Sequence, residues 1–133
     1  MDTISIIGGG GWGTALAVVI AKNGHTVRLW VRRKELAEAL DRERINHQYL
    51  PGIVIPQSIV VTSQLSEVAK ADVLLFVTPS TALREVANAL AATASVHPAA
   101  ILPESRTVWA WATIRRRRSS LDHSPKWHGW DWR

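Results

Sequence analysis

Five glycines within six residues, in the string GGGGWG from Gly8 to Gly13, constrain this chain more than any other feature of its sequence. The cluster follows a β-rich run, Thr3 to Ile7, and precedes a stretch rich in Ala, Leu and Val, Trp12 to Asn23, which Gly24 closes. This order predicts a strand, a tight turn and a helix. Because glycine tolerates tight turns, the helix is expected to fold back onto the sheet that the strand belongs to.

Strand and helix patterns continue to alternate along the chain. Further strands are predicted over residues 26–31, 59–61, 73–78 and 99–102, and further helices over 34–44, 65–71 and 80–92. The segment 46–56 contains Pro51-Gly52 and Pro56 and is predicted to be a loop. The apolar run 73–78 is typical of a strand buried on both faces of a parallel sheet. We therefore predict a Rossmann-type α/β fold with a doubly wound parallel sheet.

The glycine spacing, Gly8-x-Gly10-x-x-Gly13, is the one found in dinucleotide-binding turns. Gly8 permits a tight turn off the strand, and Gly10 lacks the Cβ that would keep a pyrophosphate away from the backbone. Gly13 lets the helix pack close to the sheet, and the free N–H groups at the helix start would hold the pyrophosphate. The alternative is a glycine-rich turn with a structural role alone. The strand before the turn and the helix after it favour the dinucleotide site.

Arg32 and Arg33 follow the second predicted strand, where an NAD site usually carries an acidic residue for the ribose 2′-hydroxyl. Two guanidinium groups suit a 2′-phosphate, because they donate charge-assisted hydrogen bonds and stack on adenine. The sequence therefore predicts NADP(H) as the preferred cofactor. Two alternatives remain open. Both arginines are solvated charges at a strand end, or Glu35 holds a ribose hydroxyl and NAD(H) also binds.

Four motifs occur in one order and at a characteristic spacing. They are GGGGWGTALA from Gly8 to Ala17, NGHTVRLW from Asn23 to Trp30, YLPG from Tyr49 to Gly52 and VTPS from Val77 to Ser80. Together they resemble the N-terminal domain of the bacterial NAD(P)-dependent glycerol-3-phosphate dehydrogenases, over residues 3–102. The resemblance implies an enzyme that interconverts sn-glycerol 3-phosphate and dihydroxyacetone phosphate by hydride transfer. A 2-ketopantoate reductase, from the same cofactor-domain superfamily, is disfavoured by the first and third motifs.

The resemblance also implies which residues contact or border the cofactor. They are Gly11 and Trp12 at the helix start, Arg32 and Arg33 at the end of the second strand, Tyr49 in the following loop and Pro79 after the fourth strand. Gly11 departs from the family, which commonly has Ser there, so that a hydroxyl contact is lost while the backbone N–H remains. For Trp12 the alternative is a core anchor under the helix. No catalytic residue and no metal ligand are predicted in this chain.

Charge and apolar content divide the chain at residue 103. Residues 1–103 carry nine Lys and Arg against eight Asp and Glu, whereas residues 104–133 carry seven against three and hold five of the seven tryptophans. We predict an NAD(P)-binding domain at 1–103 and a disordered tail at 104–133. We favour out-of-frame translation of a GC-rich gene as the origin of this tail, because the single Trp codon, TGG, is read in the neighbouring frames as part of Gly codons (GGN) or of Leu, Met and Val codons (NTG). A natural tail that binds RNA or a membrane surface is the alternative.

In the resembled family, the fifth strand leads to a Lys-Gly pair and then to a helical domain that supplies the substrate pocket and a general-base lysine. Neither is recognisable after Leu102. We therefore expect a truncated chain that is inactive alone, and we expect glycerol 3-phosphate or dihydroxyacetone phosphate to bind only in a full-length relative. The alternative from a different class is a stand-alone nucleotide-binding module whose basic tail contacts nucleic acid.

The composition also bears on location and partners. The chain has no cysteine, which excludes a disulfide scaffold and a thiolate metal site and fits a reducing compartment. The longest apolar run, Ala15 to Ala21, is far shorter than the ~18 residues of a membrane span. We therefore expect a cytoplasmic protein that binds a dinucleotide, with no membrane span and no nucleic-acid partner.

Overall fold

The computed structural model describes residues 2–93 and the backbone of residues 113–115. The helices in this part of the chain are α1 (Gly11–Lys22), α2 (Lys34–Glu43), α3 (Leu65–Val68) and α4 (Ser80–Thr93). The strands are β1 (Thr3–Ile7), β2 (Thr26–Trp30), β3 (Ile45–Asn46), β4 (Leu50–Val54), β5 (Val60–Thr62), β6 (Val73–Phe76) and β7 (Thr113–Arg115). The alternation of strand and helix that the sequence predicts is confirmed, with ends that move by up to three residues.

The main sheet has the strand order β5-β2-β1-β6-β7. Strand β1 pairs in parallel with β2 and with β6, and β2 pairs in parallel with β5. The predicted parallel sheet is therefore confirmed, and β7 adds an antiparallel edge. The chain winds outward from β1 to β5 and then crosses to the other side of β1 to form β6. Sheets of this kind bind ligands in the crevice where the winding reverses, at the carboxyl ends of the strands.

Apolar side chains cover both faces of the sheet. One buried cluster includes Ile6 of β1 with Ala17, Leu29 and Leu40, and the other includes Ile7 of β1 with Trp30, Phe76 and Leu83. Ile6 and Ile7 enter different clusters because successive side chains of a strand point to opposite faces. Helices α1 and α2 thus cover one face and α3 and α4 the other, which is why β6, with the sequence VLLF, is apolar along its length.

The prediction of a loop over 46–56 is wrong. Strands β3 and β4 form an antiparallel hairpin, in which Ile45 pairs with Val54 and Asn46 with Leu50, with a shift in register between them. Proline and glycine usually mark loops, but a proline is tolerated on an edge strand, and in a two-stranded ribbon both strands are edges. Gly52 supplies the positive φ of 83° that the ribbon requires.

Several predictions concern residues outside the described part of the chain. The strand predicted at 99–102 and most of the tail predicted at 104–133 lie there. Within that tail, residues 113–115 form β7. In the ranges 2–93 and 113–115, no helix is long and apolar enough to cross a membrane. No group of three His, Asp or Glu residues that could hold a metal ion occurs in the same ranges.

Candidate functional site

The turn between β1 and α1 lies where the winding of the sheet reverses. Gly8 has a φ of 133°, which side chains rarely permit, and a Cβ there would overlap the carbonyl oxygen of Val77. A Cβ at Gly13 would overlap the carbonyl oxygen of Gly8. The tight turn predicted at Gly8 and the close packing predicted at Gly13 are therefore confirmed.

Gly10 is the N-cap of α1 and faces open space. A Cβ at this position would have no heavy atom within 4 Å. No side chain caps the N-terminus of α1, and its first turn contains no acidic residue. The first N–H groups of a helix have no partner within the helix and lie at the positive end of its dipole. The N-terminus of α1 therefore offers both room and hydrogen-bond donors to an anion such as a pyrophosphate.

Thr78 follows β6 and lies beside the same turn. Its Cγ2 atom is 3.3 Å from the position that a Cβ of Gly8 would take. The side chain is buried, and its hydroxyl oxygen has no hydrogen-bond partner among the described residues. Buried hydroxyls are normally paired, so an unpaired one fits a site completed by a polar ligand. The next residue, Pro79, is exposed at the same end of the sheet.

Arg32 and Arg33 each donate a hydrogen bond to a side chain that is distant in the sequence. The Nη2 atom of Arg32 lies 2.9 Å from Oε1 of Glu85 on α4. The Nη2 atom of Arg33 lies 3.0 Å from Oε1 of Gln48, in the turn of the β3–β4 hairpin. Both arginine side chains are exposed. Their guanidinium groups are thus accessible to a ligand, and each is oriented by an oxygen acceptor.

The alternative placement of Trp12 as a core anchor under the helix is wrong. The residue is 66% exposed, whereas the face of α1 that packs on the sheet is formed by Gly13, Thr14, Ala17 and Val18. Trp12 therefore presents its ring to solvent from the first turn of α1.

Asn46 is a residue of the site that the sequence analysis missed. It is fully buried, and its Nδ2 donates to the carbonyl oxygen of Gly9 at 3.0 Å and to the hydroxyl of Thr14 at 2.9 Å. Its Oδ1 accepts the backbone N–H of Tyr49 at 3.2 Å. No local signal identifies it, because an asparagine in a segment with proline and glycine is usually an exposed turn residue.

The predicted site residues lie together at the carboxyl ends of the parallel strands. The glycine loop follows β1, the two arginines follow β2 and Pro79 follows β6, and these three strands are parallel neighbours. Tyr49, in the hairpin, also lies at this end of the sheet. Its carbonyl oxygen is 2.8 Å from the position that a Cβ of Gly11 would take. Tyr49 is itself 47% exposed.

A comparison with protein families gives one match over most of the chain. The family described as NAD-dependent glycerol-3-phosphate dehydrogenase N-terminus matches residues 3–105. Among curated proteins, the glycerol-3-phosphate dehydrogenase (NAD(P)+) of Bacillus thuringiensis (strain Al Hakam) is 47% identical over 87 residues, which are 65% of this chain and 26% of that protein. The chain thus spans about a quarter of the length of the curated relatives it matches.

Solved structures give the same likeness. A glycerol-3-phosphate dehydrogenase from Coxiella burnetii has a TM-score of 0.64 and 34% identity to this chain, and the match covers 67% of this chain and 28% of that one. The enzyme of the same name from Plasmodium falciparum has a TM-score of 0.61 and 33% identity, with 68% of this chain and 28% of that one covered.

Proposed function

We propose that the glycine loop, residues 8–13, binds the pyrophosphate of a nicotinamide dinucleotide. The premise is that this chain belongs to the NAD-dependent glycerol-3-phosphate dehydrogenase N-terminal family, whose match extends over residues 3–105. NADP(H) is the preferred form, and NAD(H) also binds. In a complete enzyme this domain takes part in the interconversion of sn-glycerol 3-phosphate and dihydroxyacetone phosphate.

The observation that carries this proposal is the open space at Gly10 beside the uncapped N-terminus of α1. No heavy atom lies within 4 Å of the Cβ position of Gly10, whereas Cβ atoms at Gly8 and Gly13 would overlap backbone oxygens. Gly8 and Gly13 are therefore needed for the fold itself. The fold does not require a glycine at position 10, since the protein leaves room for a Cβ there. A ligand that must approach the backbone closely explains why this position is a glycine.

The other residues of the site bind and orient the same ligand. The backbone N–H groups of Gly11 and Trp12 open α1 and donate to phosphate oxygens. The exposed rings of Trp12 and Tyr49 supply apolar contact beside the loop. Pro79 and the unpaired hydroxyl of Thr78 border the ligand where β6 ends. When bound, the nicotinamide ring carries the hydride. The described residues of this chain hold the dinucleotide in place.

The preference for NADP(H) rests on Arg32 and Arg33. Both guanidinium groups lie after β2, both are exposed, and each already donates to an oxygen acceptor. A 2′-phosphate offers more acceptor oxygens and more negative charge than Glu85 or Gln48. Glu35, in the first turn of α2, supplies the carboxylate that a ribose hydroxyl of NAD(H) would use.

A binding titration of the full 133-residue chain tests the proposal. NADPH and NADH are titrated by calorimetry into the parent protein and into the variant Gly10→Val. The branched side chain would occupy the space that the pyrophosphate needs, so we expect binding to weaken by roughly 100-fold or more. The fold should survive, because a Cβ at Gly10 would point into open space, with no heavy atom beyond its chain neighbours within 4 Å.

Ala89→Val is the matched control for this experiment. Ala89 is exposed on α4, so the variant also adds a branched side chain to a helix that flanks the sheet, outside the glycine loop. Its affinities should equal those of the parent. Binding by Gly10→Val as tight as by the parent would show that the loop is a turn with a structural role alone.

Besides the site residues and the domain boundary at residue 103, three expectations from the sequence stay predictions. The cytoplasmic location and the origin of residues 104–133 in a shifted reading frame are two of them. The third is the alternative function, a nucleotide-binding module whose tail contacts nucleic acid, and it depends on residues outside the described part of the chain.

A further inference from the structure

We propose that Asn46 is a positioning residue, which fastens the β3–β4 hairpin (residues 45–54) to the glycine loop and thereby sets one wall of the dinucleotide site. The proposal rests on the proposed function, because it assumes that the glycine loop receives a dinucleotide. It concerns a side chain that does not itself touch the ligand and acts through its neighbours.

The hydrogen bonds of Asn46 use its amide in one orientation. The two N–H bonds of Nδ2 donate to the carbonyl oxygen of Gly9 and to the hydroxyl oxygen of Thr14, and Oδ1 accepts the backbone N–H of Tyr49. The Thr14 hydroxyl in turn donates to the carbonyl oxygen of Gly10 at 2.8 Å. An aspartate would place a carboxylate oxygen against the Gly9 carbonyl oxygen with no proton between them. The network therefore requires an amide at this position.

The two carbonyl oxygens in this network belong to the loop that receives the pyrophosphate. An anion-binding loop presents its N–H groups to the ligand, and its carbonyl oxygens must point elsewhere, since they would repel phosphate. Asn46 holds the carbonyl of Gly9, and Thr14 holds that of Gly10. The buried amide thus stabilises the loop in the orientation that an anion requires.

The hairpin approaches the glycine loop as closely as backbone permits. A Cβ on Gly11 would stand 2.8 Å from the Tyr49 carbonyl oxygen, closer than such atoms pack. Strands β3 and β4 pair with each other and not with the main sheet. Side-chain hydrogen bonds, rather than a strand ladder, therefore join the hairpin to the site, and two of them come from Nδ2 of Asn46.

The hairpin also carries the partner of Arg33. Gln48 precedes Tyr49, and its Oε1 accepts from Nη2 of Arg33 at 3.0 Å. A hairpin released from the glycine loop would carry Gln48 away from Arg33 and Tyr49 away from Gly11. Asn46 is thereby coupled to both the pyrophosphate end and the proposed 2′-phosphate end of the site.

Tyr49 provides a specific readout, because it is the one tyrosine of the chain. Protein labelled with ¹⁵N-tyrosine gives a single backbone amide signal, which comes from the N–H that Asn46 accepts. Its hydrogen-exchange rate is measured by NMR in the parent and in the variants Asn46→Leu, Thr14→Val and Thr14→Ser. NADPH and NADH affinities are measured on the same samples by calorimetry.

In Asn46→Leu we expect the Tyr49 amide to lose its exchange protection and the Kd for NADPH to rise about ten-fold. Thr14→Val keeps the shape but removes the hydroxyl, and it should raise the Kd about three-fold. Thr14→Ser restores the hydroxyl and should bind like the parent. Asn23→Ala is the matched control, since Asn23 is an exposed asparagine whose amide bonds to Val19 at the other end of α1.

A folded Asn46→Leu protein with the parent's Kd would overturn the proposal, whatever its Tyr49 signal, because the leucine removes the acceptor of that N–H by itself. If that variant does not fold, Thr14→Val decides: an unchanged Kd and signal overturn the proposal, and changes that Thr14→Ser reverses support it. If the parent binds neither dinucleotide, the proposed function fails and the positioning role fails with it. The Tyr49 exchange rate separates the cases, because it reports without any ligand whether the hydrogen bond from Tyr49 to Asn46 is kept.

Discussion

Arg32 and Arg33 are neighbours in the sequence, yet the structure gives them different environments. Arg32 pairs with Glu85, 53 positions along the chain, and Arg33 with Gln48, 15 positions along. The sequence placed both at the end of a strand and indicated a phosphate. It could not name their partners, because a contact between distant residues depends on how helices and hairpin pack. The same holds for Asn46, whose burial is decided by the glycine loop 37 positions before it.

The double variant Arg32→Ala, Arg33→Ala should abolish the preference for NADPH over NADH. Two arginines on a 2′-phosphate contribute on the order of 2–4 kcal/mol, and NADH has no phosphate for them to hold. The two affinities, measured by titration, should therefore become equal, mainly through weaker NADPH binding. Equal affinities in the parent itself would contradict the predicted preference.

Glu85→Gln should strengthen the binding of NADPH and leave that of NADH nearly unchanged. The carboxylate of Glu85 accepts a hydrogen bond from the Arg32 guanidinium and would repel a 2′-phosphate that approaches Arg32. The ion pair is exposed, with side-chain exposures of 61% and 66%, so its own contribution to stability is small, about 0–1 kcal/mol. We expect NADPH affinity to rise about two- to five-fold.

Glu67→Gln is the control for that experiment, because it removes the same charge from an exposed position on α3. If both variants strengthen NADPH binding equally, the effect comes from net charge and not from competition for Arg32.

At the level of elements, the hairpin is the part of the fold that the sequence did not predict. The strand, glycine turn and helix at the start were predicted to within a residue, because apolar periodicity and the glycine cluster agree there. The hairpin has no comparable signal. Its β4 strand is largely exposed and contains Pro51 and Gly52, and the hairpin contacts the glycine loop through Asn46 and Tyr49. Local sequence rules fail where tertiary contacts select the structure.

Arg44 joins the C-terminus of α2 to the segment that precedes β5, and its removal should destabilise the domain. Its side chain is only 13% exposed, and Nη1 donates to the carbonyl oxygen of Ile59 at 2.8 Å while Nη2 binds Asp41. Arg44→Ala leaves the Ile59 carbonyl without this donor and keeps the left-handed backbone, with a φ of 56°. We expect a loss of about 1–3 kcal/mol in the free energy of unfolding, measured by urea denaturation.

Arg42→Ala is the matched control, since Arg42 is an exposed arginine two residues away whose ion pair with Glu43 lies at the surface. It should cost no more than about 0.5 kcal/mol. Equal losses in the two variants would show that the contacts of Arg44 with Ile59 and Asp41 do not stabilise the domain.

At the scale of the whole molecule, charge is distributed unevenly. Residues 1–103 have a net charge of +1 and residues 104–133 a net charge of +4, from nine against eight and seven against three charged side chains. The basic character of the chain therefore says little about the domain that holds the glycine loop. The function proposed for that domain rests instead on its site, in which the uncapped N-terminus of α1 and two exposed arginines lie at the carboxyl ends of neighbouring strands.

The last prediction is that the purified 133-residue chain binds NADPH but does not oxidise it measurably with dihydroxyacetone phosphate. Hydride transfer needs the substrate carbonyl carbon held against the nicotinamide and a proton donor at its oxygen, which together supply several kcal/mol of barrier lowering. The match to the Bacillus thuringiensis enzyme covers 26% of that protein, and the described residues of this chain supply only the proposed dinucleotide site.

Residues 104–133 contain three Val, Ile or Leu side chains in all, too few for a second core that could position catalytic groups. A spectrophotometric assay of NADPH absorbance, with and without dihydroxyacetone phosphate, measures the rate. Oxidation that depends on the substrate and disappears in Gly10→Val would contradict this prediction, because it would show that dinucleotide bound at the glycine loop reacts. The catalytic groups would then have to be sought within this chain, first among the residues that follow α4.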